Sequence, residues 1–197
     1  MLICVVGMPG AGKGEFVKVA REEGIPVVVM GDAVRREAER RGMDVGETAE
    51  RLREEHGMDA VARLVADDVE RELRRAGVVV VDGVRNPEEV EYFKDRFGED
   101  SVVIVAIHAS PDTRFERLRE RGREDDPETR REFEERDERE LGFGIGEVIS
   151  RADVMIVNER ISLPEFREKC RSVLRSLLRG EDPHDLPGGP DNVRVPY

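Results

Sequence analysis

The segment 2–14 reads Leu-Ile-Cys-Val-Val-Gly-Met-Pro-Gly-Ala-Gly-Lys-Gly, an apolar run that breaks into a glycine-rich loop ending in lysine. Gly7, Gly12 and Lys13 occupy the fixed positions of G-x-x-x-x-G-K, and a helix-forming stretch at 15–23 follows directly. Such a loop turns its N–H groups inward around a polyphosphate only where several residues lack a side chain. The next helix adds unpaired N–H groups and the positive end of its dipole. The order strand, loop, helix predicts that Gly7, Pro9, Gly10, Ala11, Gly12, Lys13, Gly14 and Glu15 form the nucleotide-binding loop. Lys13 would then reach the β- and γ-phosphates. Only Lys13, Lys18, Lys94 and Lys169 are lysines among 33 basic residues, and at Lys13 this is expected to mark a place where an arginine fork does not fit.

Five short valine- and isoleucine-rich runs, at 2–6, 26–30, 78–82, 102–108 and 154–157, read as buried parallel strands separated by helical stretches. Asn86-Pro87 and Ser110-Pro111 place a capping residue before proline at a helix start, and Ser162-x-x-Glu165 is a capping box. Strand alternating with helix predicts an α/β fold, a doubly wound three-layer parallel sheet, with ligands at the carboxyl ends of the strands. Residues 1–180 form one domain on this reading. Within it, 32–76 is too long for one crossover and is expected to be a helical acceptor-binding insert.

Between 119 and 140, 18 of 22 residues are charged and only Phe133 is strongly apolar. A solvated helical arm is expected there, with a lid at 119–141, and the glycines of 142–146 are expected to act as a hinge. The end of the chain, 181–197, reads as a flexible tail rich in Pro, Gly and Asp.

The chain has 197 residues, a net charge of −12 and 40% charged residues. That acidity opposes binding to nucleic acid or an anionic membrane, both polyanions. A strand from residue 2 leaves no room for a signal peptide, and no apolar run reaches membrane length, so a cytoplasmic protein is expected. Cys4 and Cys170 fall in predicted core positions and are expected to be packing residues. A monomer or small homo-oligomer is expected.

More chemistry falls at the strand ends. Gly31-Asp32-Ala33-Val34-Arg35 follows the second strand, with Asp32 at a helix start as an N-cap or an active carboxylate. Asp82-Gly83-Val84-Arg85 ends the third strand, where Asp82 can hold the waters of Mg²⁺. Arg114, Arg117 and Arg121 share one helix face, and Arg123 opens an Arg-x-Asp-Asp run with Arg136 beyond it. Guanidinium groups there suit a phosphoryl group in flight, whose charge spreads over its equatorial oxygens.

These motifs, in this order over about 1–160, resemble adenylate kinase and its archaeal relatives. The resemblance implies a kinase with strand order 2-3-1-4-5, using ATP and Mg²⁺, with a nucleoside monophosphate or similar nucleotide as small-molecule acceptor. By position, Arg35, Arg85 and Arg136 would hold the acceptor. Arg117, Arg121 and Arg123 would close over the transferring group, with Arg117 also touching the donor. Glu15 stands where these kinases carry threonine, so it is expected on the metal side with Asp82. The Asp82–Arg85 run is one residue shorter than in these kinases, and the lid has no metal-binding cysteines.

Asp32-Ala33-Val34-x-Arg36-Glu37 and Ala152-Asp153-Val154-x-Ile156-x-Asn158 also resemble dephospho-CoA kinase. That likeness implies a ribose hydroxyl acceptor with Asp32 as general base, and a place for Asn158 at the nucleotide. The paired arginines at 35 and 85 favour the phosphate acceptor. In a further reading, the protein is a nucleotide-binding switch or slow ATPase.

Overall fold

In a computed structural model, which describes residues 1–123, 126–183 and 186, the strands β1 (Leu2–Val6), β2 (Val27–Val29), β3 (Val79–Asp82), β4 (Val102–His108) and β5 (Val154–Val157) form one parallel sheet. Its order is β2-β3-β1-β4-β5, the order that the resemblance implies, and a doubly wound arrangement as the alternation of strand and helix predicts. Alternation along β1 feeds both faces. Leu2, Cys4 and Val6 join one apolar cluster, and Ile3 and Val5 join the other. Every residue of β1 is buried, as a central strand covered by helices on both faces requires.

Helices α1 (Lys13–Glu22) and α9 (Leu163–Leu178) cover the Ile3/Val5 face. On the other lie α2 (Met30–Arg41), α3 (Val45–His56), α4 (Ala60–Ala76), α5 (Pro87–Phe97) and α8 (Ile145–Ser150). The helices α6 (Pro111–Arg121) and α7 (Arg130–Gly142) follow β4. Asn86, Ser110 and Ser162 cap α5, α6 and α9 through their side chains, as their sequence contexts predict. Cys4 and Cys170 are buried free thiols on opposite sides of the sheet. Burial pushes the Cys170 thiol up to about 12.

Some expectations need correction. The second strand is shorter than 26–30, because Met30 already belongs to α2. Asp32 therefore is not an N-cap. The cap position falls on Val29, which has no side chain able to accept, and Asp32 lies in the first turn of the helix. The charged stretch 119–140 is not one solvated arm. Gly122, in the left-handed conformation, ends α6, and a Thr129–Glu132 capping box opens α7. Phe133 of α7 is buried against Phe115, with ring centroids 5.5 Å apart. Leu186, inside the stretch read as a flexible tail, is buried in the α1/α9 core. The rest of that reading, at 184, 185 and 187–197, lies outside the described residues. No helix among the described residues is long and apolar enough to cross a membrane.

Candidate functional site

The loop between β1 and α1 lies at the carboxyl edge of the sheet, and its glycines are there because neighbours press on it. Gly10 has φ 82°, and a Cβ there would stand 2.8 Å from the carbonyl oxygen of Arg114. Gly12 has φ 119°, and a Cβ would stand 2.5 Å from Asn158 Nδ2 and 3.1 Å from the Phe166 ring. Any other residue would push α6, the loop after β5 or α9 away.

Lys13 begins α1 and turns back over this loop. Its ammonium donates to the carbonyl oxygens of Gly7 at 2.5 Å and Met8 at 3.3 Å. Burial lowers its pKa, while the charges of Asp82 and Glu140 raise it and those of Arg85 and Arg136 lower it. The structure thus brings Lys13, Asp82, Arg85 and Arg136 together, with Glu140 as a fifth member.

Asp82 ends β3 beside Lys13. Burial raises its pKa against the pull of Lys13 and Arg85. Its Oδ1 is buried and has no hydrogen-bond partner. A buried carboxylate oxygen without a partner is costly, and a cation or its hydration water is the kind of group that satisfies it. Asp82 therefore fits the Mg²⁺ that a nucleotide would bring. Glu15 fits less well. Its carboxylate lies on the α9 side, 2.8 Å from Arg167 and 2.5 Å from Lys18, and these partners hold its pKa down against its partial burial.

Asp32 and Arg35 form an ion pair with each other, and the Arg35 guanidinium folds back over Gly31. Arg85 lies 3.3 Å from Glu140, and its backbone N–H donates to Glu89 at 2.7 Å. Glu89 is fully buried, held between Arg53 of α3 at 3.1 Å and the Asn86 cap of α5. The loop that carries Arg85 is thereby fixed from two helices.

The remaining arginines are also engaged. Arg117 donates to the carbonyl oxygen of Asn158 at 3.0 Å, and its second terminal nitrogen is buried without a partner. Asn158 in turn donates to Ala11 of the loop at 2.9 Å, which links β5 to the phosphate loop. Arg121 and Arg136 meet on one nearly buried carboxylate, Asp126, with Arg136 at 3.4 Å. Arg121 holds that carboxyl down at about 2. Arg123 brings its backbone N–H to the same carboxylate, 3.0 Å away, while its side chain is exposed.

Sequence reasoning missed Glu140 and the brace behind the loop. Arg114 is buried, not part of a free arginine face. It pairs with Asp137 through two bonds, of 2.8 and 2.5 Å, and donates to the Pro9 carbonyl at 3.2 Å. The available signal was spacing. Phe133, Arg136, Asp137 and Glu140 recur at three- and four-residue intervals and form the non-exposed stripe of α7.

Comparison with known proteins narrows the setting. A family model described as an AAA domain matches residues 3–141. A UPF0200 protein of Methanopyrus kandleri is 86% identical over 196 residues, covering 100% of both chains. Another, of Pyrococcus horikoshii, is 50% identical over 185 residues, covering 90% of this chain and 98% of its own. Among solved structures, a shikimate kinase from Bacteroides thetaiotaomicron aligns with a TM-score of 0.62 at 19% identity, covering 91% of this chain and 98% of that one. A gluconokinase from Sinorhizobium meliloti 1021 aligns at 0.54 and 18%, covering 90% and 93%. At such identities the likeness carries the fold alone.

Proposed function

The chain belongs to the UPF0200 family, with an AAA domain over most of its length, and from that premise we propose that it is a phosphotransferase. It moves the γ-phosphoryl group of ATP, bound with Mg²⁺, to a small acceptor. The observation that carries this reading is the half-buried Lys13 ammonium turned over the glycine loop beside Asp82, whose Oδ1 lacks a partner.

Each group has a task in this reading. The loop N–H groups and the start of α1 bind the donor's phosphates. Lys13 exchanges the Gly7 carbonyl for the β/γ-phosphates and stabilises the charge that builds during transfer. Asp82 would hold Mg²⁺ through its waters, and the ion would supply positive charge beside the donor's phosphates. The arginines gathered on Asp126, with Arg117, form the closing side. The helices α2–α4 serve as the acceptor-binding insert, and 119–141 serves as the lid.

The resemblance to adenylate kinase assigns the acceptor as a nucleoside monophosphate held by Arg35 and Arg85, and the resemblance to dephospho-CoA kinase assigns a hydroxyl activated by Asp32. One observation favours the second: both arginines already face a carboxylate, Arg35 with Asp32 and Arg85 with Glu140.

The test is incubation with γ-labelled ATP and Mg²⁺ against a panel of nucleoside monophosphates and hydroxyl-bearing metabolites. Label should move to an acceptor, and Lys13→Ala should slow that transfer by on the order of 10²–10³ in a protein that still folds. Release of free phosphate alone, at a rate indifferent to every acceptor, would instead identify a nucleotide switch.

A further inference from the structure

Glu140 is in an unfavourable place for an acid. It lies in the last turn of α7, where the helix dipole disfavours negative charge, and it is nearly buried. Local rules broken without a structural gain concentrate at functional positions. The stripe Phe133–Arg136–Asp137–Glu140 aims this carboxylate inward, 3.3 Å from Arg85 Nε and close enough to Lys13 to bear on its charge.

Charge balance gives that position a meaning. Around the strand ends each acid faces a cation, Asp32 with Arg35, Glu140 with Arg85 and Asp82 with Lys13. A phosphate monoester carries about −1.5 to −2 at neutral pH. On the acceptor side Arg35 and Arg85 thus each already face a carboxylate, and a phosphate placed between them would meet two acids as well as two guanidinium groups. Held by Arg85, a phosphate would share that guanidinium with the nearly buried Glu140 carboxylate and meet its negative charge at close range.

Resting on the phosphotransferase reading above, we propose that Glu140 is a specificity-determining carboxylate. It reserves Arg85 and limits the acceptor to a small molecule that presents a hydroxyl, not a phosphate, to the donor. The hydroxyl oxygen forms a bond to the γ-phosphorus as the bond from that phosphorus to the β,γ-bridging oxygen breaks. ADP leaves with the bonding electron pair, and the hydroxyl proton passes to the Asp32 carboxylate. Discrimination here comes from an element that rejects the wrong partner.

The experiment measures AMP binding by calorimetry to the full chain saturated with Mg²⁺ and the non-hydrolysable imido analogue of ATP. The unmodified protein should bind AMP weakly. Glu140→Gln, which keeps shape and removes charge, should tighten AMP by on the order of tenfold or more, with a much smaller change for the ATP analogue. Adding Arg85→Ala to that variant should abolish the gain, and Glu140→Asp should keep AMP weak. Equal AMP affinity in the unmodified and Glu140→Gln proteins, or a gain that survives Arg85→Ala, overturns the role of Glu140 while leaving the donor site standing. Failure of the unmodified protein to bind the ATP analogue overturns the phosphotransferase reading, and this inference with it. Thermal unfolding of each variant separates loss of fold from loss of binding.

Discussion

Helices α9 and α7 bury one stripe each, and the two stripes are made of different material. On α9 it is Phe166, Cys170, Val173, Leu174 and Leu177, packed on the sheet, while Arg167, Arg171 and Arg175 reach outward to Glu15 and Glu22 of α1 and to Glu23, its C-cap. On α7 it is one phenylalanine and three charged residues, directed at the phosphate loop and its arginines. The charges on α9 lie outside and decorate a helix that apolar burial already holds. The charges on α7 are the packing itself.

The comparison predicts opposite tolerances. Asp137→Ala leaves the nearly buried Arg114 without its carboxylate, which should cost about 3–5 kcal/mol. It should also loosen the Pro9 end of the phosphate loop. Leu174→Ala on α9 should cost a comparable 2–5 kcal/mol or so by opening a cavity, yet leave ATP affinity per folded molecule unchanged. Leu174→Met should be nearly neutral, whereas Asp137→Glu should not rescue the two-bond geometry. Urea unfolding, with ligand affinity measured on the folded fraction, separates the cases. An Asp137→Ala protein of normal stability would show that α7 is held by something other than its charges.

The same contrast explains what could be read in advance. Five valine-rich runs, three capped helix starts and the Gly7–Gly14 loop carry local signals strong enough to be seen alone, and they gave the sheet, its helices and the loop. The face of α9 was legible for the same reason, apolar residues at helical spacing. The face of α7 was not, because hydrophobic periodicity is blind to a stripe of paired charges. Asp137 and Glu140 look like surface acids until the partners 23 and 55 residues upstream, Arg114 and Arg85, are known. Asp32 was misplaced by a smaller effect. Val27–Val29 ends the strand early and hands Met30 to the helix, which moves Asp32 past the cap.

Acid should find α7 first. Asp126 joins Arg121 and Arg136, and Arg121 holds its carboxyl at about 2, below the ordinary aspartate value of about 3.9. A depressed folded-state pKa contributes stability that is complete above the ordinary value and is lost as pH falls through the folded one. Stability worth about 2 kcal/mol should therefore disappear between roughly pH 4 and pH 2, and Asp126→Asn should remove that dependence. Unfolding midpoints followed by circular dichroism across this window test it. An unchanged acid limb in the variant would mean that Asp126 does not carry the link.

The smallest effect is expected at Glu15, where the two helices' charges are most easily confused. It directly follows the phosphate loop, yet its carboxylate pairs with Arg167 of α9 and Lys18, the latter mostly exposed. Glu15→Gln should thus behave as the loss of a surface pair, worth under about 1 kcal/mol and shrinking as salt rises. The Mg²⁺ concentration that half-saturates nucleotide binding should not move, because the carboxylate that fits the metal's waters is Asp82. Parallel melts at low and high salt, with a Mg²⁺ titration in the presence of ATP, measure both quantities. A rise of tenfold or so in the Mg²⁺ requirement would show that Glu15 leaves Arg167 when nucleotide binds. The α9 charges would then belong to the site, as those of α7 do, and the division between the two helices would fail at that point.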